Sequence, residues 1–304
     1  GGASAATVAA AAAQFAAAAA FDTAFDAGSM STASTTPAGG GGPAVYENRR
    51  VVDEYVQFHF GKPEDIMPYK DGPHSALRFT ARCADLCAKH TKSVKLSSIG
   101  VGGGASKGSG GVGGGSPQGM ALDIGCAVGG ASFELARHFK EVVGIDFSRA
   151  FVQAAKLMKE RGKLAYTAVR EADITGRYEG VVPDRIDRSR VSFRQGDACK
   201  LPSSLLGGGG PGESVAEFGR YDAVLASNLL CRLPDPAEFL RACPRLVRPG
   251  GVLVLVSPYS WLEAWTPRDK WLGGYYRATA TASSSKPSRA SALMAMMRRG
   301  GGAA

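Results

Sequence analysis

The residues best suited to chemistry in this sequence are two aspartates on either side of a glycine loop. Asp123 comes just before Gly125, the loop continues through Gly129, and Asp146 lies further along the chain. The separation of Asp146 from Gly125 is close to the ~20 residues that separate the glycine loop from the ribose-binding acid in dinucleotide folds. Glycine lets the backbone turn sharply and approach a ligand. We therefore predict a site for a nucleoside-containing ligand, with Asp146 accepting hydrogen bonds from its ribose.

Apolar segments on both sides of the loop predict the elements that position the two acids. Residues 121–124 form an apolar run before the loop, and residues 142–145 form a second run that ends at Asp146. Between them, apolar side chains recur at helical spacing at Phe133, Leu135, Ala136 and Phe139. The pattern predicts a strand, a glycine loop, a helix and a second strand closed by an acid.

The loop differs from the dehydrogenase pattern G-x-G-x-x-G, because Ala127 stands where the second glycine would be. An acid ahead of the loop suits a ligand with a cationic amino-acid end and suits a pyrophosphate poorly. S-adenosylmethionine has such an end, and the segment resembles the first two motifs of class I methyltransferases. We predict S-adenosylmethionine as the cofactor. A nicotinamide nucleotide fold and a βαβ unit without a cofactor are the alternatives.

The rest of the chain alternates between predicted helices and strands. Helices are expected at 46–60, at 78–90, from Ser148 to about Glu171, and from an Asp235 cap onward. The polar segment 172–189 is interpreted as an insertion. Further strands are expected at 190–194, 221–226 and 252–256. This alternation predicts an α/β fold with a doubly wound, mostly parallel sheet.

Ligands of such folds bind at the carboxyl ends of the strands, where the strand order reverses. We therefore expect the site to include the residues that follow each predicted strand. These are Asp123, Asp146, Asp197, Asn228 and Ser257.

Composition predicts one folded domain between low-complexity tails. The 304 residues include 41 glycines in clusters, and the formal net charge is +9. We predict a domain at 46–274, with flexible glycine-rich insertions at 101–118 and 207–214. Tails are expected at 1–45 and 275–304. No Lys or Arg precedes Arg49, which argues against a signal peptide, and the alanine tract is too weakly apolar for a membrane span.

The six cysteines include no CxxC pair, which favours a reducing, cytoplasmic location with free thiols. Cys83, Cys87 and His90 could share one helix face, but a fourth metal ligand is missing, so we interpret them as part of a half-buried helix and predict no metal. The basic residues are scattered singly, which makes a nucleic-acid partner unlikely on charge alone.

Three stretches together resemble a narrower family. They are Val-Asp-Glu-Tyr-Val-Gln-Phe-His-Phe-Gly (52–61), Asp-Ile-Gly-Cys-Ala-Val-Gly-Gly-Ala-Ser-Phe-Glu-Leu-Ala-Arg (123–137), and Ser-Asn-Leu-Leu-Cys-Arg-Leu-Pro (227–234) followed by Ser-Pro-Tyr-Ser-Trp-Leu-Glu (257–263). They are similar to the C-terminal methyltransferase domain of ovothiol-biosynthesis enzymes, which join a sulfoxide synthase to a 4-mercaptohistidine N1-methyltransferase. The chain departs from that family in two ways. It lacks the iron-dependent synthase half, and it shows no pattern for a sixth and seventh strand after Gly274.

The resemblance implies methylation of a ring nitrogen of 5-thiohistidine to give ovothiol A, with a separate sulfoxide synthase chain or domain as a partner. We expect the cofactor to contact Asp123, Gly125, Cys126, Ala127, Gly129, Asp146, Phe147, Asp197, Ala198 and Asn228. Catalytic roles are assigned to Asn228, Tyr55 and His59, and substrate contacts to Tyr46, Arg232 and Tyr259.

Other interpretations of these residues stay open. Tyr55 and His59 could be core residues of an amphipathic helix, Arg232 a surface cation, and Cys126 and Cys231 small packing residues. The function could be methylation of nucleic acid or protein, although Asn228 is followed by Leu-Leu-Cys instead of the Pro-Pro-Tyr of amine-directed enzymes. A non-catalytic scaffold is the remaining alternative.

Overall fold

The computed structural model describes residues 43–67, 71–97, 119–206 and 219–274. Most of the predicted N-terminal tail, the glycine-rich insertions at 101–118 and 207–214, and the C-terminal tail lie outside these residues. Within the described part of the chain, no helix is both long and apolar enough to cross a membrane.

The fold is built on a parallel sheet of five strands, with a separate two-stranded hairpin. The strands are β1 (Met120–Ile124), β2 (Glu141–Asp146), β3 (Lys163–Glu171), β4 (Ile174–Val181), β5 (Val191–Gln195), β6 (Tyr221–Ser227) and β7 (Val247–Val256). The order across the large sheet is β5-β2-β1-β6-β7. The chain thus winds outward from β1 in one direction and then reverses between β1 and β6, which confirms the doubly wound α/β prediction.

The central strands are buried on both faces, as expected of a parallel sheet covered by helices. In β6, every residue from Tyr221 to Ala226 is buried. Asp123 lies level with Gly144 of β2 and Leu225 of β6, so its side chain starts from the middle of the sheet. The acid is therefore held by three paired strands.

Three of the helices begin at side-chain caps, and the sequence predicts two of these caps. The helices are α1 (Arg49–Phe60), α2 (Pro63–Ile66), α3 (Phe79–Ser97), α4 (Gly130–Leu135), α5 (Arg149–Arg161) and α6 (Pro236–Ala242). Ser148 accepts a hydrogen bond from the amide of Phe151, and Asp235 accepts one from Glu238, which confirms both predicted caps. Helix α1 starts after Asn48, because residues 43–47 form a 3₁₀ turn instead.

The prediction of a helix from Ser148 to about Glu171, followed by an insertion at 172–189, is wrong. Helix α5 ends at Arg161, because Gly162 adopts a left-handed conformation with φ of 75° and terminates it. The chain then forms an antiparallel hairpin from β3 and β4, with Tyr166 opposite Tyr178. The two rings stack with centroids 5.5 Å apart, and Tyr166 is buried.

The hairpin packs against helix α1 and holds it beside the sheet. The amide of Thr167 donates to Oδ2 of Asp53 at 3.1 Å, and Arg49 donates to the carbonyl of Ala165 at 3.2 Å. Gly180 lies so close to the helix that an added Cβ would come within 2.9 Å of Phe60 and Val56. The hairpin is thus the support of the N-terminal helix, a role that the sequence does not reveal.

Strand β7 begins earlier than predicted, at Val247, and has a register irregularity where it pairs with the start of β6. The segment that follows it packs back over the sheet through tryptophans. Trp261 stacks on Trp271 with ring centroids 6.3 Å apart. Thr266 donates from Oγ1 to the carbonyl of Leu233 at 2.7 Å, which ties this segment to the loop after β6.

Candidate active site

A cavity of about 450 Å³ opens at the carboxyl ends of β1, β2, β5 and β6. Helices α1 and α3 and the segment after β7 form its other walls. The structure brings most of the predicted site residues to this cavity: Tyr46, Tyr55, His59, Asp123, Gly125, Cys126, Ala127, Asp146, Phe147, Asp197, Ala198, Asn228 and Arg232. Three predicted residues, Gly129, Ser257 and Tyr259, are absent from its walls.

The glycine loop is tied to the end of strand β2. The amides of Gly125 and Cys126 both donate to the carbonyl of Ile145, at 2.8 and 3.0 Å. Gly125 has φ of 75°, and an added Cβ would come within 3.0 Å of Leu229. A side chain at this position would therefore strain the backbone and press on the loop after β6.

Gly129 has a packing role that differs from the predicted cofactor contact. It has φ of 92° and caps the start of α4. An added Cβ would come within 2.6 Å of the Phe193 ring, which is not part of the cavity wall. Glycine is required here so that the helix can approach β5 closely.

Asp146 is buried at the end of β2 and organises the loop in front of it. Its Oδ2 accepts the amide of Ala127 at 2.8 Å, and its Oδ1 accepts the amide of Ser148 at 2.9 Å. Burial raises the pKa of this carboxyl to about 6, against the opposing effect of the two amides. Each carboxylate oxygen has a further lone pair, so the hydroxyls of a ribose can donate to it.

Asp123 is also buried, and its Oδ2 accepts a hydrogen bond from Oγ of Ser132 at 2.6 Å. Burial, together with the nearby Asp146, raises the pKa of Asp123 to about 7. A cationic group placed in the cavity would offset both effects. The pair of buried acids therefore fits a ligand that carries both an ammonium group and a ribose.

The region between β2 and β5 is suited to a flat base. Phe147 follows Asp146 directly, and 56% of its surface is exposed. Its carbonyl accepts a hydrogen bond from Gln195 at 3.1 Å. Asp197 and Ala198 follow β5 on the same side, and Asp197 accepts the amide of Cys199 at 2.8 Å. The geometry agrees with the predicted adenine contacts, which stay a prediction.

Asn228 follows β6 with φ of 53°, an unusual conformation outside glycine. Its amide donates to the carbonyl of Val256 at 2.8 Å, which holds the strained turn in place. Its side-chain Oδ1 is enclosed and accepts no hydrogen bond from any group in the described residues. A buried carbonyl oxygen without a donor is costly, and Asn228 also lines the cavity, so a small rotation of its carboxamide would let a ligand supply that donor.

Four aromatic rings close the cavity on the side of helix α1. The ring centroids of Tyr46 and Trp265 are 5.0 Å apart, those of Tyr46 and Phe151 5.2 Å, and those of Tyr55 and Phe151 4.6 Å. The N-terminal segment and the segment after β7 thus meet at Tyr46 and Trp265. Trp265 belongs to this wall although the sequence did not mark it.

Tyr259 was expected in the substrate contacts, but the structure places it elsewhere. Its side chain is 73% exposed, and its amide donates to Oγ of Ser257 at 3.1 Å. The turn at Tyr259 has φ of 55° and directs the chain toward Trp265, which reaches the cavity instead. The segment that contains Tyr259 is therefore adjacent to the site, but Trp265 and not Tyr259 lines it.

Arg232 brings a positive charge to the cavity wall. It donates to the carbonyl of Ser260 at 2.8 Å, and its guanidinium carbon lies 5.9 Å from the centre of the Trp265 ring. These contacts fix its head group between the loop after β6 and the segment after β7. The interpretation of Arg232 as a simple surface cation does not fit this position.

His59 connects helix α1 to the glycine loop. Its Nδ1 accepts the amide of Gly130 at 3.0 Å, and burial lowers its pKa to about 4. The imidazole is therefore neutral near pH 7. Its half-buried ring lines the cavity beside Tyr55 and Phe58.

The structure adds wall residues on helix α3 that the sequence did not mark, namely Phe79, Thr80 and Cys83. The sequence predicted this helix, but nothing in it showed which face turns toward the site. Cys83 is buried, which raises its pKa to about 11, and Cys87 is buried while His90 is exposed. Within the described residues, these side chains form no group able to hold a metal ion.

Comparison with known proteins shows which family the core of the chain resembles. Residues 122–253, from β1 into β7, match the family described as Methyltransferase domain. The ubiquinone biosynthesis O-methyltransferase of Alkalilimnicola ehrlichii is 30% identical over 147 residues, which cover 47% of this chain and 44% of that protein. The same-named protein of Acinetobacter baylyi is 27% identical over 130 residues, 43% of this chain and 40% of that protein.

The chain thus matches less than half the length of these curated relatives. Among solved structures, the PH0226 protein from Pyrococcus horikoshii OT3 aligns with a TM-score of 0.30 at 24% identity, covering 45% of this chain and 48% of that chain. This likeness is too low to support a conclusion about function. The family match over residues 122–253 supports the predicted methyltransferase class and, with it, S-adenosylmethionine as the cofactor.

Proposed function

We propose that the protein transfers the methyl group of S-adenosylmethionine to a ring nitrogen of a small aromatic acceptor, and that this acceptor is 5-thiohistidine. The observation that carries the proposal is the enclosed Oδ1 of Asn228 at a cavity walled by aromatic rings. A small planar acceptor with an N–H group would donate to this oxygen. A polymer would require the aromatic wall to open.

The cofactor end of the cavity is formed by the two acids and the glycine loop. Asp123 would accept hydrogen bonds from the ammonium group of the methionine end, and Asp146 from the ribose hydroxyls. Gly125, Cys126 and Ala127 would line the methionine end, and Phe147, Asp197 and Ala198 the adenine. When bound, the cofactor supplies an electrophilic methyl group on a sulfonium sulfur.

Positioning explains most of the expected rate enhancement. Attack by a neutral imidazole nitrogen moves positive charge from sulfur to ring and needs no proton transfer during the displacement, so alignment of the reacting atoms dominates. Asn228 would accept the N–H of the ring and so point the other nitrogen, with its lone pair, at the methyl group. Tyr55 and Tyr46, whose ring centroids are 5.9 Å apart, would hold the ring plane at the cavity wall.

Two further features favour a histidine-derived acceptor. Arg232 supplies positive charge for the α-carboxylate at the same cavity, where an ion pair would be shielded from water. The segments that resemble the ovothiol family, at 52–61 and 227–234, are the ones that contribute Tyr55, His59 and Arg232. A separate sulfoxide synthase chain or domain would supply the thiohistidine.

A second candidate is methylation of a phenolic hydroxyl, because the named relatives are O-methyltransferases. A phenol must lose its proton in the reaction and therefore needs a base near the hydroxyl. The buried acids of the cavity, Asp123 and Asp146, are taken by the cofactor in this proposal, which leaves an amide oxygen and a neutral imidazole of low pKa for the acceptor. The cavity thus supports the nitrogen acceptor better.

The test is a methyl-transfer assay with labelled S-adenosylmethionine and four acceptors: 5-thiohistidine, histidine, a catechol and RNA. We expect label in 5-thiohistidine at a rate far above the others. Preferred labelling of the catechol would favour the second candidate. Tight cofactor binding by calorimetry with no labelling of any acceptor would favour a scaffold and contradict the proposal.

The variant Asn228→Gly tests the residue that carries the proposal. Glycine fits the left-handed turn, so the backbone is retained while the carboxamide is removed. We expect loss of about tenfold or more in turnover, the equivalent of one hydrogen bond at a buried site. Affinity for S-adenosylhomocysteine should stay within a few-fold. An unchanged turnover would remove Asn228 from the mechanism.

A further inference from the structure

The hydrogen bond between His59 and Gly130 determines where the proton of the imidazole lies. A backbone amide can only donate, so Nδ1 of His59 must present its lone pair to the amide of Gly130, 3.0 Å away. A neutral imidazole carries one N–H, which is then on Nε2. A second proton on Nδ1 would face the amide hydrogen, and the burial that lowers the pKa to about 4 also disfavours it.

The other nitrogen is available to a ligand. Within the described part of the chain, Nε2 of His59 contacts no hydrogen-bonding group and is not among the enclosed polar atoms that lack a partner. Since the ring lines the cavity, Nε2–H is accessible from inside it. His59 thus places one donor, and no acceptor, at the site.

Glycine at position 130 is what makes this arrangement possible. A Cβ at Gly130 would lie 2.6 Å from Nδ1 of His59 and 2.8 Å from its Cβ. Both distances are below van der Waals contact, so any other residue would push the ring away. The close approach of α1 to the start of α4 is therefore specific to this pair of residues.

We propose that His59 is a tautomer-locked hydrogen-bond donor that selects and positions the acceptor molecule, and is not a general base. Its Nε2–H would donate a hydrogen bond to the methyl-accepting molecule, most strongly to an anionic sulfur or a carboxylate oxygen. This inference rests on the proposed function and narrows it. The methyl-accepting molecule must offer a hydrogen-bond acceptor to His59 and a hydrogen-bond donor to Asn228.

The same residue links the two ligands. Nδ1 contacts the helix that follows the cofactor loop, whereas the ring lines the cavity in which the acceptor is proposed to bind. A ligand bound at Nε2 therefore restrains the ring and, through it, the amide of Gly130. We expect acceptor binding and ordering of the cofactor loop to reinforce each other.

The tautomer can be measured directly by ¹⁵N NMR on the full chain. The sequence contains only four histidines, at 59, 74, 90 and 138, so His59 can be assigned with the His59→Asn variant. We expect a pyridine-type signal for Nδ1 and a pyrrole-type signal for Nε2, unchanged across neutral pH. A proton on Nδ1, or a charged ring at neutral pH, would overturn the proposal. This result does not depend on the identity of the acceptor.

Two variants separate the functions of the two nitrogens. In His59→Asn the amide oxygen can still accept from Gly130, but the donor in the cavity is lost. In His59→Gln the amide reaches the position of Nε2 and restores that donor. For His59→Asn we expect KM for 5-thiohistidine to rise by about tenfold or more, with S-adenosylhomocysteine affinity within about threefold. His59→Gln should recover much of the KM.

His138→Gln is the matched control, since His138 contacts Asp85 on the surface at 3.0 Å and lies outside the cavity. It should leave both ligands unaffected. An unchanged KM in His59→Asn would refute the donor role. Equal loss of cofactor and acceptor affinity in both His59 variants would show that the residue only supports the fold.

Discussion

At the scale of single residues, Ala127 occupies a position in the glycine loop that would ordinarily favour glycine. Ala127 has φ of 47° in the left-handed region, and its amide donates to Asp146. A residue with a Cβ pays roughly 1–2 kcal/mol in this conformation. The contact with Asp146 explains why the loop keeps this shape despite the strain.

Replacement of Ala127 by glycine should therefore cost little. Relief of the strain offsets the loss of a buried methyl group and the greater freedom of the unfolded chain. We expect the free energy of unfolding to change by less than about 0.5 kcal/mol. Ala154→Gly in helix α5, where the backbone is helical, is the control and should lose about 1 kcal/mol or more. Chemical denaturation measures both, and equal losses would argue against strain at Ala127.

Asp123 makes the stability of the unliganded protein depend on pH. Its pKa is raised from 3.8 to about 7, so the native state holds this proton more tightly than the unfolded state. The resulting stabilisation is fully present below pH 3.8 and is lost as the pH rises through about 7. A cationic ligand beside Asp123 should reverse the trend and bind more tightly as the carboxylate ionises.

The variant Asp123→Asn isolates this contribution, because Asn can still accept from Ser132 but cannot ionise. Relative to the unchanged protein, we expect the variant to become more stable as the pH rises. The gain should be on the order of a few kcal/mol once the pH exceeds the pKa of Asp123. In this variant, the affinity for S-adenosylmethionine should no longer increase with pH. Thermal unfolding and calorimetry over a pH series provide the data, and parallel curves for both proteins would contradict the assignment.

At the scale of elements, the site depends on a helix that another element supports. Helix α1 carries Tyr55 and His59, and the β3–β4 hairpin holds it through Asp53, Arg49 and the close contact at Gly180. The hairpin itself lies outside the cavity walls. Changes in the hairpin should therefore reach the acceptor through the position of α1.

Gly180→Ala tests this coupling. The new Cβ would press on Phe60 and Val56 at 2.9 Å, and such overpacking costs about 1–3 kcal/mol. We expect a lower melting temperature and a higher KM for the acceptor, with little change in cofactor affinity. Gly273→Ala, where the added Cβ meets no atom within 4 Å, is the control. A KM unchanged in Gly180→Ala would show that the hairpin acts on stability alone.

The segment after β7 contributes a second wall, and its three tryptophans have different positions. Trp265 packs on Tyr46 at the cavity, whereas Trp271 stacks on Trp261 away from it. We expect Trp265→Ala, like Tyr55→Ala, to weaken turnover of 5-thiohistidine while cofactor affinity stays within a few-fold. Trp271→Ala should lower the melting temperature and leave KM unchanged. Similar KM values for the two tryptophan variants would contradict a substrate role for Trp265.

At the scale of the whole molecule, one strand reversal brings the cofactor loop, Asn228 and the aromatic wall to the same edge of the sheet. The strands β1 and β6 that flank this reversal pair directly, with Ile124 opposite Ala226. Ligand binding at this edge contacts both halves of the fold. It should therefore stabilise the molecule as a unit.

S-adenosylhomocysteine should raise the melting temperature of the whole chain, by the equivalent of about 2.7 kcal/mol at a concentration one hundred times its Kd. NAD should give no such shift, because the acid-led loop lacks the middle glycine of dehydrogenases. Asp146→Ala should remove most of the effect, since each charge-assisted hydrogen bond contributes about 1.5–3 kcal/mol. A larger shift with NAD than with S-adenosylhomocysteine would contradict the cofactor assignment.

The sequence by itself determined the fold and brought the residues of the proposed cofactor site into one place. Asp123, Gly125 and Asp146 sit in consecutive elements, so their spacing along the chain sets their positions in space, and strand ends in a parallel sheet converge at one edge. The caps at Ser148 and Asp235 were predictable for the same reason, since a cap acts on amides within its own turn. The end of α5 was missed because Gly162 outweighed an apparently continuous helical pattern.

The acceptor half was decided by the tertiary structure. Trp265 reaches Tyr46, and Gly130 approaches His59, only because α1, the hairpin and the segment after β7 pack together. Periodicity shows that a residue lies on a helix face or a loop, but not which neighbour that face meets. The tautomer of His59, the enclosed Oδ1 of Asn228 and the outward position of Tyr259 all depend on contacts between segments far apart in the chain, which local spacing does not encode.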